Sequence, residues 1–102
     1  LAAVRGLGDV YKRQVQGRAG KILINTRYRT TETTATLTEI YQDLDENFCQ
    51  CHKSFIINFL HTSRIDHLKG KVIMSTGKEI PISFRRRKAT EKLYRGYLLT
   101  LL

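Results

Sequence analysis

Apolar residues in this chain come in runs too short for anything but small strands, with a single exception. Lys21-Ile22-Leu23-Ile24-Asn25-Thr26, Phe55 to Leu60, Lys71 to Thr76 and Lys78 to Ser83 are each broken by glycine or polar residues within about six positions. The exception is Leu37, Ile40, Tyr41, Leu44 and Phe48, which recur at i, i+3, i+4, i+7 and i+11, one face of a helix. Thr36-Leu37-Thr38-Glu39 opens that helix as a capping box, threonine at the N-cap with glutamate three residues on. No strand–helix–strand alternation follows, which excludes a doubly wound sheet. The expected fold class is mainly β with one or two short helices.

Other local signals fill in this outline. Tyr28 to Thr34 is rich in threonine and reads as a partner strand for Lys21–Thr26. The residues Gln16 to Gly20 read as the loop before it, with part of a first strand in Val10–Gln16. Cys49-Gln50-Cys51 and Phe55–Leu60 flank the polar knot His52-Lys53-Ser54, and Arg64–Leu68 is joined to the next strand through Gly70. Gly77 turns a hairpin whose second strand holds Pro81; a residue without an N–H belongs at a sheet edge. Ser83 is placed to cap a final helix from Phe84 onward. With 102 residues the chain has room for one domain. Residues 1–14 open on Leu1 and show no period, so they are set aside as a foreign or truncated end; the domain is expected over 15–96, with 97–102 as a tail.

Charge is the first functional clue. Eighteen lysines and arginines against nine acids give +9. Residues 1–29 carry seven basic groups and one acid; residues 30–52 carry five acids and no lysine or arginine; residues 53–102 carry eleven basic groups and three acids. A fold that brings the two basic stretches together has a positive and a negative face, and the positive one attracts nucleic acid or anionic lipid.

Several chemistries are excluded. His52, Ser54 and Asp66 form a triad only on paper, since no nucleophile elbow or oxyanion loop accompanies the serine. Cys49, Cys51, His52, His61 and His67 lack the paired spacing of a zinc site, and in a strand the two cysteines share one face as small buried apolar groups. Gly6-Leu7-Gly8 is too short for a phosphate cradle. The expectation is therefore no enzyme, no metal and no cofactor. No apolar run reaches the ~20 residues that span a bilayer, no signal peptide opens the chain, and two cysteines make no disulfide framework. The expected location is the cytoplasm, with no membrane partner. The strongest cluster is Phe84-Arg85-Arg86-Arg87-Lys88, with Lys92 and Arg95 behind it; arginine's planar fork matches phosphate oxygens and the guanine edge.

Three blocks give this pattern a family. Phe48-Cys49-Gln50-Cys51-His52-Lys53-Ser54-Phe55-Ile56-Ile57-Asn58 resembles the Phe-x-x-x-His-[Arg/Lys/Asn]-Ser-[Tyr/Phe]-x-[Val/Ile]-Asn segment of LytTR DNA-binding domains. Thr36-Leu37-Thr38-Glu39 resembles the family's Thr-Leu-x-Glu, and Gly77 to Arg86 resembles its Gly-x-x-Ile-Pro-[Val/Ile]-Ser-x-Arg ending. The resemblance covers about residues 17–95, and the opening strand is poorly matched by Val10–Gln16. It implies a small, elongated β-sandwich-like fold that binds double-stranded DNA as a transcriptional regulator. Loops, not a recognition helix, enter successive major grooves. It also implies binding to repeated sites as a dimer, and a receiver or other regulatory domain N-terminal to a chain like this one. The contacts it implies fall at three corners: Arg18 and Lys21; His52, Lys53 and Ser54; and Ser83 to Arg85, continued by Arg86, Arg87 and Lys88. Lys53 and Arg85 are expected at base edges, and Ser54, Arg86 and Lys88 at phosphates. His52 is expected either to orient its loop or to touch DNA, and Asn58 to be a structural hydrogen-bonder. The competing reading is a small basic RNA-binding or ribosome-associated protein, which would expose aromatics for base stacking, whereas Phe48, Phe55 and Phe59 stand at core-like positions. A further reading is a peripheral membrane or protein-interaction module using the basic tail.

Overall fold

The computed structural model describes the backbone of residues 12–18, 21–26 and 30–33 and the whole of residues 36–102. Among the described residues, eight strands form two antiparallel sheets. β1 (Lys12–Arg18), β2 (Lys21–Thr26), β3 (Thr30–Thr33), β4 (Phe48–His52) and β5 (Phe55–Asn58) make the larger, in the order β3-β2-β1-β5-β4. β6 (Thr62–Asp66), β7 (Lys71–Met74) and β8 (Glu79–Pro81) make the smaller, with β7 in the middle. α1 (Leu37–Gln42) precedes β4, and α2 (Arg87–Thr100) closes the chain. The mainly β architecture is the one expected.

The β4–β5 pair is covered on both faces, which is why Phe55, Ile56 and Ile57 are apolar in succession. Successive strand residues point to opposite sides. Cys49, Cys51 and Ile57 join Phe59, Ile65, Val72, Met74, Ile80 and Ile82 in the core between the sheets. Phe48 and Ile56 turn the other way to meet Ile40, with Leu37, Tyr41 and Leu44 around them. Tyr94 and Tyr97 of α2 close the main core, their rings 5.2 and 5.5 Å from that of Phe59. Asn58, buried, accepts from the Leu60 amide at 2.9 Å and starts a 3-10 turn, the structural role expected of it.

The helix is shorter than its periodicity suggests. Thr36 caps it as expected, accepting from the Glu39 amide at 3.1 Å, but α1 ends at Gln42 and Phe48 opens a strand. Beyond the helix's Asp43 C-cap, Asp45 accepts from the Asn47 amide at 2.9 Å, a local bond that shapes the turn into β4. The five apolar positions still converge on one cluster, reached from two elements instead of one.

β1 also departs from expectation. It begins at Lys12, inside the segment set aside, and lies between β2 and β5, paired to both. Residues 16–18, read as loop, pair with Leu23, Ile22 and Lys21. Residues 1–11 lie outside the described part. β6 runs over 62–66 instead of 64–68, because the Asp66 carboxylate and carbonyl accept from the Lys69 and Gly70 amides and close a turn there. Pro81 does lie in an edge strand. Ser83 makes no side-chain cap; a 3-10 turn over Phe84–Arg86 intervenes, and α2 starts at Arg87 and runs through residues 97–100, read from sequence as tail.

Among the described residues, two glycines have left-handed backbone, Gly70 (φ 64°) and Gly77 (φ 88°). A β-carbon at Gly77 would meet open space, whereas one at Gly70 would overlap the Arg87 guanidinium. Both Gly→Ala variants should incur about 1–2 kcal/mol of backbone strain, and Gly70→Ala should lose more as Arg87 is displaced. Urea unfolding should rank Gly70→Ala below Gly77→Ala; equal midpoints would show that the Arg87 packing contributes nothing.

Candidate nucleic-acid interface

The antiparallel register decides where the three basic corners lie. β1 pairs with β5 through Gln16↔Phe55, and β4 pairs with β5 through His52↔Phe55. The end of β1 (Arg18), the start of β2 (Lys21), the start of β5 and the end of β4 therefore lie side by side at one end of the sheet. The side chains of Arg18 and Lys21 lie outside the described part, so their placement is one of backbone register. From strand spacing of about 4.8 Å, this row of strand ends is roughly 15 Å wide.

The two-residue turn Lys53-Ser54 joins β4 to β5. Its shape is held by His52, whose Nδ1 accepts from the Ser54 backbone N–H at 3.0 Å, and whose ring meets Phe55 edge-on with centroids 5.6 Å apart. An accepting Nδ1 is unprotonated, so any ring proton of neutral His52 sits on Nε2. His52 thus orients the turn that presents Lys53, which is exposed.

The third corner is fastened to the second by the main chain. The Ser83 N–H donates to the Cys51 carbonyl at 2.9 Å, and the Cys51 thiol donates to the Pro81 carbonyl at 3.6 Å. His52, Lys53, Ser83, Arg85 and Arg86 consequently line one cavity of about 480 Å³. Three of these residues are cationic and none is acidic, so the cavity is suited to an anion. Ser54 lies in the adjoining turn, and Lys88 is exposed on the first turn of α2.

Arg87 is directed elsewhere. Its guanidinium lies against Gly70 and 5.6 Å from the Phe84 ring centroid, and its Nε is buried without a partner. Arg87 serves the packing of the β6–β7 turn on α2, a role that only the pairing of Gly70 with a distant arginine could have signalled in sequence. Phe84 itself is 83% exposed.

The paper triad is not assembled. His52 engages the Ser54 amide instead of its hydroxyl, and Asp66 is held in the β6–β7 turn, where the Lys69 N–H keeps its carboxyl below the ordinary value. Among the described residues no group of three or more His, Cys, Asp or Glu could hold a metal, and no helix is long and apolar enough to cross a membrane.

The family model of the LytTr DNA-binding domain matches residues 10–95. The chain belongs to this family. A solved structure of the LytTr DNA-binding domain from a Bacillus cereus protein described as a methyl-accepting/DNA response regulator shares the fold, with a TM-score of 0.77 at 24% identity, covering 85% of this chain and 84% of that one. No curated protein matches the chain. The LytTr match begins before β1, so the opening strand belongs to the domain. The family is one of DNA-binding domains, not a catalytic one.

In this LytTr domain, Cys51 is bonded through its carbonyl to the N–H of Ser83, which lines the cationic cavity. It is fully buried, and burial pushes its thiol up to about 12; burial also raises Cys49. The native state therefore holds the thiol proton more tightly than the unfolded chain. Stability should be intact below about pH 9, the unfolded value, and should fall as pH rises toward 12. Cys51→Ala should flatten that fall, as measured by urea midpoints between pH 8 and 10.5. Thiol reagents should modify native Cys51 only as fast as the domain opens, and the alkylated chain should bind DNA weakly. Rapid native-state labelling or unchanged DNA affinity after verified alkylation would contradict this account.

Proposed function

We propose that this chain is the sequence-specific DNA-reading part of a transcriptional regulator. Its turns enter the major groove of double-stranded DNA from one side, without a recognition helix. Lys53 and Arg85 read base edges, while Ser54, Arg86 and Lys88 hold phosphates, and Arg18 and Lys21 extend the grip from the β1–β2 hairpin. The observation that carries this reading is the cavity shared by His52, Lys53, Ser83, Arg85 and Arg86, cationic and free of acid, at the sheet end where the register also puts Arg18 and Lys21. A two-residue hairpin turn is narrow enough for the ~12 Å major groove. Binding occurs on repeated sites, as a dimer, under the control of a receiver or other regulatory domain outside this chain. His52 acts through the turn it holds, and Arg87 contributes to binding only through the fold.

Recognition of single-stranded RNA would draw on aromatic faces. Phe84 is the exposed phenylalanine, but Phe48 and Phe59 are buried and Phe55 packs on the core. A comparison of duplex DNA with RNA in filter binding should favour duplex.

Selection of bound duplexes from a random pool should return short repeats about one helical turn apart. On the selected site, Arg85→Ala should lose ~1–3 kcal/mol and relax discrimination at one position. Arg86→Ala should weaken selected and random duplex alike and reduce the salt slope by about 0.9. Equal losses from Arg85→Ala on both duplexes would show that Arg85 touches only phosphate.

A further inference from the structure

Helix α2 is flanked by two depressions, one holding two arginines and the other bordered by the acidic turn before β4. On one side, Arg64 of β6 faces Tyr94, Arg95 and Leu98 across a cavity of about 470 Å³. The Glu91 carboxylate in that cavity is engaged by His67 at 2.8 Å, and Arg64 lies a loose 3.8 Å from Asp66. Arg95 has no carboxylate partner among the described residues. On the other side, Glu46 and Asn47 face Lys92, Leu93 and Gly96 around a cavity of about 370 Å³. Glu46 ends an acidic stretch with Glu39, Asp43 and Asp45, in which no lysine or arginine occurs between residues 30 and 52. Each flank also exposes a leucine, Leu98 at 44% and Leu93 at 49%.

We propose that these flanks dock on each other between copies of this chain at neighbouring DNA sites. The Arg64–Arg95 flank of one copy receives the acidic Asp45–Glu46 turn of the next, and Leu98 and Leu93 supply the apolar contact. This inference rests on the duplex-DNA reading and adds to it the surface through which copies meet. The occupant is a second copy because the complementary acid is carried by the chain itself, across the ~10 Å width of the same helix. Two different surfaces make a heterologous contact, which propagates in one direction and fits head-to-tail repeats. At +9, free copies repel one another. Phosphates cancel that repulsion on DNA, and the shared duplex raises the effective concentration of the second copy. The contact therefore forms on DNA and not in solution.

The test uses the full chain and duplexes carrying one or two head-to-tail copies of the selected site, spaced by roughly ten base pairs. The second copy should bind roughly tenfold more tightly than the first. Inserting about half a helical turn, roughly five base pairs, should remove that gain. Arg64→Glu and Glu46→Arg should each abolish it, and the double variant R64E/E46R should restore it, with single-site affinity as the folding control for each. The proposal is overturned by independent binding of the second wild-type copy, by single variants that keep the gain, or by a double variant that stays non-cooperative. Failure of the wild-type chain to bind even one site would instead bring down the DNA reading on which the proposal rests.

Discussion

The junction at the end of β4 is the constraint on which the rest depends. There the Cys51 carbonyl accepts the Ser83 N–H, and the buried Cys51 thiol reaches the Pro81 carbonyl. These bonds tie the last residues of the smaller sheet to the edge of the larger one. Without them the Lys53-Ser54 turn and the Arg85-Arg86 turn would belong to separate parts of the chain. With them, both turns project from one place, next to the hairpin that bears Arg18 and Lys21. The core below is apolar on both faces of β4–β5, so the cationic end is mounted on a deeply buried strand pair.

The polarity of the domain follows from the same register. The acidic turn before Phe48 lies at the opposite end of β4 from His52, about 13 Å away by strand rise. The Phe59 N–H donates to the Asn47 carbonyl at 2.8 Å and fixes that turn to the sheet. One end attracts phosphates while the other is repelled by them, which orients the domain before contact. Arg87 shows that not every cation in a basic cluster serves this field, since its guanidinium is taken up by Gly70 and Phe84.

Much of this was legible in the residues themselves. Thr36 capped its helix, Pro81 marked an edge strand, Gly77 turned a hairpin, and Cys49 and Cys51 were buried in one core, because each depends on local geometry or on strand alternation. The His52-Lys53-Ser54 and Ser83–Arg85 motifs identified the family. Long-range outcomes were not legible. The helical period through Phe48 could not reveal that the helix would end at Gln42 and that a strand would supply the last apolar contact. β1 was obscured because a strand paired on both sides draws its stability from partners distant in sequence. The link from Ser83 to Cys51 is a main-chain bond, with no side-chain signature, and Arg87 was separated from its role by the seventeen positions back to Gly70.

Mapping backbone amide shifts while a duplex carrying one copy of the selected site is titrated into the labelled domain tests the central claim most directly. Residues 17–21, 52–54 and 83–86 should shift together and saturate at one stoichiometry, while residues 43–47 stay still. Shifts confined to one of the three turns, or centred on residues 43–47, would contradict a single cationic end that grips the double helix.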